Sequence, residues 1–330
     1  MKANGFCFSR WLAVAVMVIS VLGIVNIASA QEGYPSKPVR FVVNVAAGGY
    51  GDITSRLVAN KMGENMGQRF LVENRPGAGQ IVAAMAVLQA PADGYTITLA
   101  GQGSAVSHTL FKKLPYDILN DFAQVSVMVD TDLVVLVKAD SKFTSLASLL
   151  QFAKSNPGKL NIGTSYVGST QQLAAELFKK QAGINAVTVT YKSAPEAIIG
   201  LRSGSLDVVF DVLATSLPQI KDKSLKALAV ASDKRFAGLP DVPTTEEAGL
   251  AGYQVTSWNG ISVKAGTPRP IIDRLNKEIG KALTAPDVKQ KCQDMGLSPV
   301  LLTPDQSRKL MVDEIAKWKK VIEDANIPRQ

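Results

Sequence analysis

The chain has 330 residues, 46% of them hydrophobic and 19% charged, which is enough for about two lobes of ordinary domain size. Its formal net charge of +8 is scattered, with no basic run and no aromatic-interleaved patch, and this excludes nucleic acid as a partner. A single histidine, His108, and two cysteines, Cys7 and Cys292, exclude a multi-histidine or cysteine-cluster metal site.

The N-terminus reads as a cleaved export signal. Lys2 and Arg10 precede an apolar run at 11–25, and Ala28-Ser29-Ala30 follows as the small-residue site for cleavage near Ala30. Residues 1–30 are therefore expected to be removed in the periplasm. The mature chain then keeps 34 basic against 28 acidic residues, a charge of +6 that suits an anionic ligand as well as the general basicity of exported proteins. Cys292 is left as its only cysteine, with no disulfide available, so the fold must rest on its core. It sits in a helical pattern and is read as a packing residue.

From residue 39 onward, short β-branched runs alternate with longer helical patterns, as in parallel α/β units. Strands are expected at 39–45 (VRFVVNV), 70–73 and 95–100, with helices after the turns at 46–52 and 74–79. Two apolar runs at 125–129 and 133–137 are separated by Asp130-Thr131-Asp132, and the second is read as the strand that enters another lobe. Beyond it the plan repeats. Helices are expected at 145–155, 171–182 and 195–202, and strands at 160–163, 187–190, 206–211 and 225–231. The chain returns near 253–258. Thr267-Pro268 and Thr303-Pro304-Asp305-Gln306 are each expected to cap a helix, the latter as a capping box, with the last helix ending near Asn326. The resulting division is a first lobe at 31–132, an inserted second lobe at 133–255, and a return segment at 256–330.

Ligands of parallel α/β sheets gather beyond the carboxyl ends of strands, where helix N-termini point. Two loops meet that condition. In the first, Ala47, Gly48, Gly49 and Tyr50 lead to Asp52, and glycines let free N–H groups approach an anion without any arginine. The same residues also serve a plain strand-to-helix turn with Asp52 as N-cap. In the second, Thr164, Ser165, Tyr166, Gly168, Ser169 and Thr170 offer hydroxyls and backbone access just before a helix, with Ser169 or Thr170 also able to cap it. Ser104, Tyr191 and Asp211, at the ends of three further strands, complete the candidate set. Tyr50 and Tyr166 are expected to stack on a flat ligand from opposite walls while their hydroxyls donate to it. Trp258 is either a core residue or a reporter of hinge motion.

No stretch reads G-x-G-x-x-G, G-x-x-x-x-G-K-[ST] or G-x-S-x-G, so no cofactor and no enzyme activity are expected. The rival from another class is an exported α/β hydrolase using Ser169, for which His108 is the single histidine base. A third reading couples the receptor to a signalling partner in place of a permease.

A series of motifs carries a resemblance. Tyr34-Pro35-Ser36-Lys37-Pro38-Val39-Arg40, the A-G-G-x-x-D of Ala47 to Asp52, and Val72-Glu73-Asn74-Arg75-Pro76-Gly77-Ala78-Gly79 come first. Pro91-Ala92-Asp93-Gly94-Tyr95-Thr96, Leu114-Pro115-Tyr116-Asp117, Asn156-Pro157-Gly158-Lys159-Leu160, Leu239-Pro240-Asp241-Val242-Pro243-Thr244, Trp258-Asn259-Gly260 and Ala265-Gly266-Thr267-Pro268 continue it. Together these resemble the Bug family, the extracytoplasmic solute-binding receptors of tripartite tricarboxylate transporters. The resemblance implies a two-lobed α/β Venus-flytrap fold of the periplasmic-binding-protein type, with a ligand cleft between the lobes. It further implies capture of a small organic carboxylate for a membrane permease, and the chain is expected to act as a monomer. The chain departs from the pattern at Tyr50, Tyr166, Gln172 and Ser193, departures that bear on the identity of the ligand.

Overall fold

A computed structural model describes residues 33–324 and 326–330. The export signal and its cleavage after Ala30 lie outside the described residues. Among residues 38–330, which form one compact unit, the strands are β1 (Val39–Val43), β2 (Phe70–Asn74), β3 (Thr96–Gly101), β4 (Phe122–Lys138), β5 (Asn161–Thr164), β6 (Val187–Thr190), β7 (Val208–Val212), β8 (Leu225–Val230), β9 (Thr256–Lys264) and β10 (Ser298–Pro299). The helices are α1 (Tyr50–Met66), α2 (Ile81–Leu88), α3 (Gln102–Leu110), α4 (Leu146–Ser155), α5 (Thr170–Ala182), α6 (Ala194–Arg202), α7 (Leu213–Lys221), α8 (Arg269–Thr284), α9 (Pro286–Asp294) and α10 (Pro304–Asp324).

The strands run in the order β2-β1-β3-β9-β4-β7-β5-β6, with β8 and β10 attached to β4. β4 is the joint. Its first part pairs antiparallel with β9, from Phe122↔Lys264 to Asp132↔Thr256. Its last part pairs with β7 and β8 instead, from Leu133 onward. The β1–β2, β1–β3, β5–β6 and β5–β7 pairs are parallel. The inner strands of these parallel sets are buried because helices cover them: Val39, Phe41, Val42 and Val43 of β1 are fully buried, as are Ile162 of β5 and Val208 of β7, while the edge strands β2 and β6 leave Leu71 and Val187 exposed. Around the second set of parallel strands, Leu136, Leu201, Val209, Leu217 and Leu225 form one cluster, and the buried rings of Phe178 and Tyr253 meet edge-on at 5.6 Å, with Phe210 of β7 beside them. α10 lays Ser307, Met311, Trp318 and Ile322 inward along one face, as spacings of four and seven residues require.

Three local expectations are corrected. Asp130-Thr131-Asp132 does not interrupt the strand: β4 runs through it unbroken, because both neighbours there are strand partners and Thr131 Oγ1 donates to Gly296 O at 2.9 Å. Asp52 is not an N-cap. Gly49 holds that position, and Asp52 lies in the first turn of α1, accepting from Gly48 N at 2.9 Å, Arg56 Nε at 2.9 Å and Asn74 Nδ2 at 2.9 Å. Thr267 does not cap α8 either, since its hydroxyl donates to Lys264 O. The capping box at Thr303 and Gln306 is formed by reciprocal bonds of 3.2 and 2.9 Å. Cys292 is a fully buried thiol whose pKa burial pushes up to about 11, a packing residue in effect.

Candidate functional site

Four helix N-termini meet at one buried cavity. β1 ends at Val43, and the loop after it delivers Gly49, Tyr50 and Gly51 to the wall at the start of α1. β3 ends at Gly101 and opens directly into α3, placing Gly103 and Ser104 beside them. From the second set of parallel strands, β5 delivers Ser165, Tyr166, Thr170 and Gln171 at the start of α5. β6 delivers Ser193 and Ala194 at the start of α6. Asn44, Gln80, Ser257 and Asn259 close the cavity, which encloses about 50 Å³. No lining residue bears a formal charge. The first N–H groups of each helix have no intrahelical acceptor, so four partial positive ends point at this space.

The sequence builds this crowding with small residues. A Cβ on Gly101 would stand 2.5 Å from Trp258 O, so only glycine lets β3 and β9 approach there. Gly48 has φ +76°, a left-handed conformation that glycine adopts without strain, and it turns the chain into α1.

A polar relay stiffens the wall. Asn44 Nδ2 donates to Leu99 O at 3.0 Å and to Gln80 Oε1 at 2.8 Å, and Ser104 Oγ donates to the same Gln80 oxygen at 2.8 Å. Two donors on its oxygen orient the Gln80 amide so that its nitrogen faces Tyr166, which it hydrogen-bonds. The Gln80 amide nitrogen and the Tyr166 hydroxyl both lie over Gly103, where there is no Cβ to obstruct them. Tyr166 thus reaches from the loop after β5 to the segment before α2. Burial pushes its pKa up to about 12, with the Gln80 bond opposing. On the same wall, Ser165 is 3% exposed and its hydroxyl has no hydrogen-bond partner.

Of the residues expected from sequence, Gly49, Tyr50, Ser104, Ser165, Tyr166 and Thr170 line the cavity. Ala47 and Gly48 are exposed and do not line it. Asp52 supports the first loop from behind, as described above. Thr164 is fully buried and bonds Thr190 Oγ1, and Gly168 N donates to Gln172 Oε1 at 2.8 Å, so both shape the second loop. Ser169 caps α5 by accepting from Gln172 N at 3.1 Å. Asp211 lies one layer deeper. It accepts from Gln171 Nε2, Thr215 Oγ1 and Ser216 Oγ, and burial raises its pKa against those three bonds. Tyr191 lines a neighbouring outer chamber rather than the cavity itself.

The stacking slot between Tyr50 and Tyr166 is corrected. About 50 Å³ is a third of the ~150 Å³ that holds a benzene ring in an apolar protein cavity. The Tyr50 hydroxyl also has other business: its one proton goes to Ser257 O at 3.2 Å or Val129 O at 3.3 Å on the crossing strands. Trp258 is buried in β9 with its indole N–H unpartnered. The two residues a hydrolase would need serve other features. Ser169 is a cap, and His108 lines a groove with Ile315, Lys319 and Ile322 of α10.

Sequence reasoning missed Asn44, Gln80, Gln171, Ser257 and Asn259 as lining residues, and marked Ser193 only as a departure that bears on the ligand. Asn44 had a signal, being the one uncharged polar residue in VRFVVNV. Among the described residues there is no group of three or more side chains fit to hold a metal ion, and no helix long and apolar enough to cross a membrane.

Residues 54–327 match the profile of a family described as tripartite tricarboxylate transporter family receptor. Protein BugT of Bordetella pertussis is 32% identical over 318 residues, spanning 96% of this chain and 97% of BugT. Among solved structures, R. palustris Rpa4515 with adipate aligns at TM-score 0.86 and 32% identity, covering 89% of this chain and 99% of that one. MatC from Rhodopseudomonas palustris with bound malate aligns at TM-score 0.80 and 29% identity, covering 88% and 100%.

Proposed function

Since the chain belongs to the tripartite tricarboxylate transporter receptor family, with the periplasmic-binding-protein fold of its structural neighbours, we propose that it captures a small organic carboxylate in the periplasm and hands it to a membrane permease. One observation carries this reading: four helix N-termini converge on a buried cavity that contains no side-chain charge. An anion gains from every one of those ends, while a cation or a zwitterion's ammonium group is opposed by all of them. Solved relatives with adipate and with malate support the ligand class.

In this account the carboxylate sits against the starts of α1 and α5, accepting from backbone N–H groups and from the hydroxyls of Ser165 and Thr170. Tyr166 adds a donor, because Gln80 already supplies the bond its oxygen accepts. Residues 31–132 with 256–330, and residues 133–255, act as two lobes that close on the ligand. Their joint is the pair of crossings at Asp132 and Thr256, adjacent in the β4–β9 ladder. Export through residues 1–30 and action as a monomer complete the proposal. A thermal-shift screen of carboxylates on the purified chain tests it, since a ligand at ~100 times its dissociation constant adds about 2.7 kcal/mol. A screen in which amines or neutral sugars raise the melting temperature and no carboxylate does would refute it.

A further inference from the structure

We propose that the ligand is a monocarboxylate with an apolar body of ring or medium-chain size, and that a second, outer chamber sets this preference. The inference rests on the carboxylate reading above and specifies its substrate class.

Two adjoining spaces of very different volume meet at Tyr166. The inner cavity of about 50 Å³ has room for roughly four water-sized groups at ~10–15 Å³ each, the size of a carboxylate and the carbon that carries it. Next to it lies a chamber of about 530 Å³ that shares Asn44, Ala46, Tyr166 and Ser193 with the inner one. A carboxylate seated inside must therefore project the rest of its molecule past Tyr166 into the outer space.

The outer walls are mostly carbon. Pro76 and Gly77 stand on one side, and Val167, with the rings of Tyr166 and Tyr191, on the other. Tyr191 turns its hydroxyl away toward Gly200 of α6, where a Cβ would meet that oxygen at 2.5 Å, so the chamber sees ring carbons. At the rim Lys192 and Glu196 are both exposed, one positive and one negative. Their charges offset each other, and neither is desolvated, so the chamber offers no fixed seat for a second carboxylate. The volume exceeds the ~150 Å³ needed for a benzene-sized group, which the inner cavity lacks. Tyr166 divides the two spaces, its hydroxyl held by Gln80 and its ring facing outward.

Calorimetric titration of the chain, expressed from its full sequence, with acetate, butanoate, hexanoate, benzoate, phenylacetate and adipate tests the inference. Affinity should rise from acetate through hexanoate by about fourfold per buried methylene, with benzoate or phenylacetate at least equal to hexanoate. Adipate should bind no tighter than hexanoate. Val167→Asn, a change of similar volume on a half-buried loop position, should flatten the gradient while leaving the melting temperature of the free protein within a few degrees. Equal affinities from acetate to hexanoate, or adipate tenfold tighter than hexanoate, would overturn the outer-chamber reading and leave the carboxylate reading standing. Failure of every carboxylate in the series would overturn both.

Discussion

Ser165→Ala separates stability from binding. The Ser165 hydroxyl is buried on the cavity wall without a partner. No protein group accepts from or donates to this hydroxyl, so its removal should change the stability of the free protein by less than about 1 kcal/mol. In a chain of this size that corresponds to a shift of no more than about 2 °C in melting temperature. The same hydroxyl is proposed to donate to a bound carboxylate, and a hydrogen bond to a charged group contributes about 1.5–3 kcal/mol. Binding should therefore weaken by roughly 10- to 150-fold. Differential scanning calorimetry with and without the strongest carboxylate from a screen reads both effects at once. The variant should melt within about 2 °C of wild type when free and gain less from ligand. A variant that melts far lower when free would give the hydroxyl a structural partner, and one that binds as tightly as wild type would remove it from the site; either result would refute the reasoning.

Asp132 stands at the crossing of β4, and burial first, then the charges of Asp130 and Asp233, push its pKa up to about 6, with Lys234 opposing. A raised carboxyl stabilises the fold below its unfolded value near 3.8, and that contribution disappears as pH rises through 6. Asp132→Asn should thus stabilise the protein at pH 8 by about 1–2 kcal/mol, discounted for partial exposure, and by almost nothing at pH 4, as urea denaturation at the two pH values would show. Binding should be insensitive to pH between 6 and 9, because the titratable lining groups, Tyr50 and Tyr166, are both shifted upward by burial. A tenfold change in calorimetric affinity across that range would place an unrecognised ionisable group in the site. Gly101→Ala should lower stability by about 1–3 kcal/mol in denaturant titration, since its Cβ meets the backbone oxygen of Trp258 and not a movable side chain.

Local chemistry made much of the fold legible. Ser145, Ser169 and Ser193 each precede a helix and each accepts a backbone N–H as its cap, and the β-branched runs marked the buried parallel strands because such strands have no polar face. The unbroken β4 was not legible. Asp130-Thr131-Asp132 has turn composition, and only the presence of β9 and β10 alongside holds it extended. The site divided the same way. Glycines and hydroxyls before α1 and α5 announced themselves, since helix N-termini have a sequence signature. Gln80 did not, because its role depends on a left-handed backbone at φ 59° and on partners 36 and 24 residues away. Asp211 misled for a related reason: a carboxylate at a strand end looks available until Gln171, Thr215 and Ser216 are seen to surround it.

The central claim is that a cavity without side-chain charge holds an anion by helix ends and hydroxyls. Calorimetric comparison of the strongest-binding carboxylate with its primary amide, a neutral molecule of nearly the same shape, tests it most directly. The amide should bind at least 100-fold more weakly, as helix-end and charge-assisted contacts worth about 3 kcal/mol are lost. An amide that binds within threefold of the acid would contradict the account, since the site would then be reading shape and not charge.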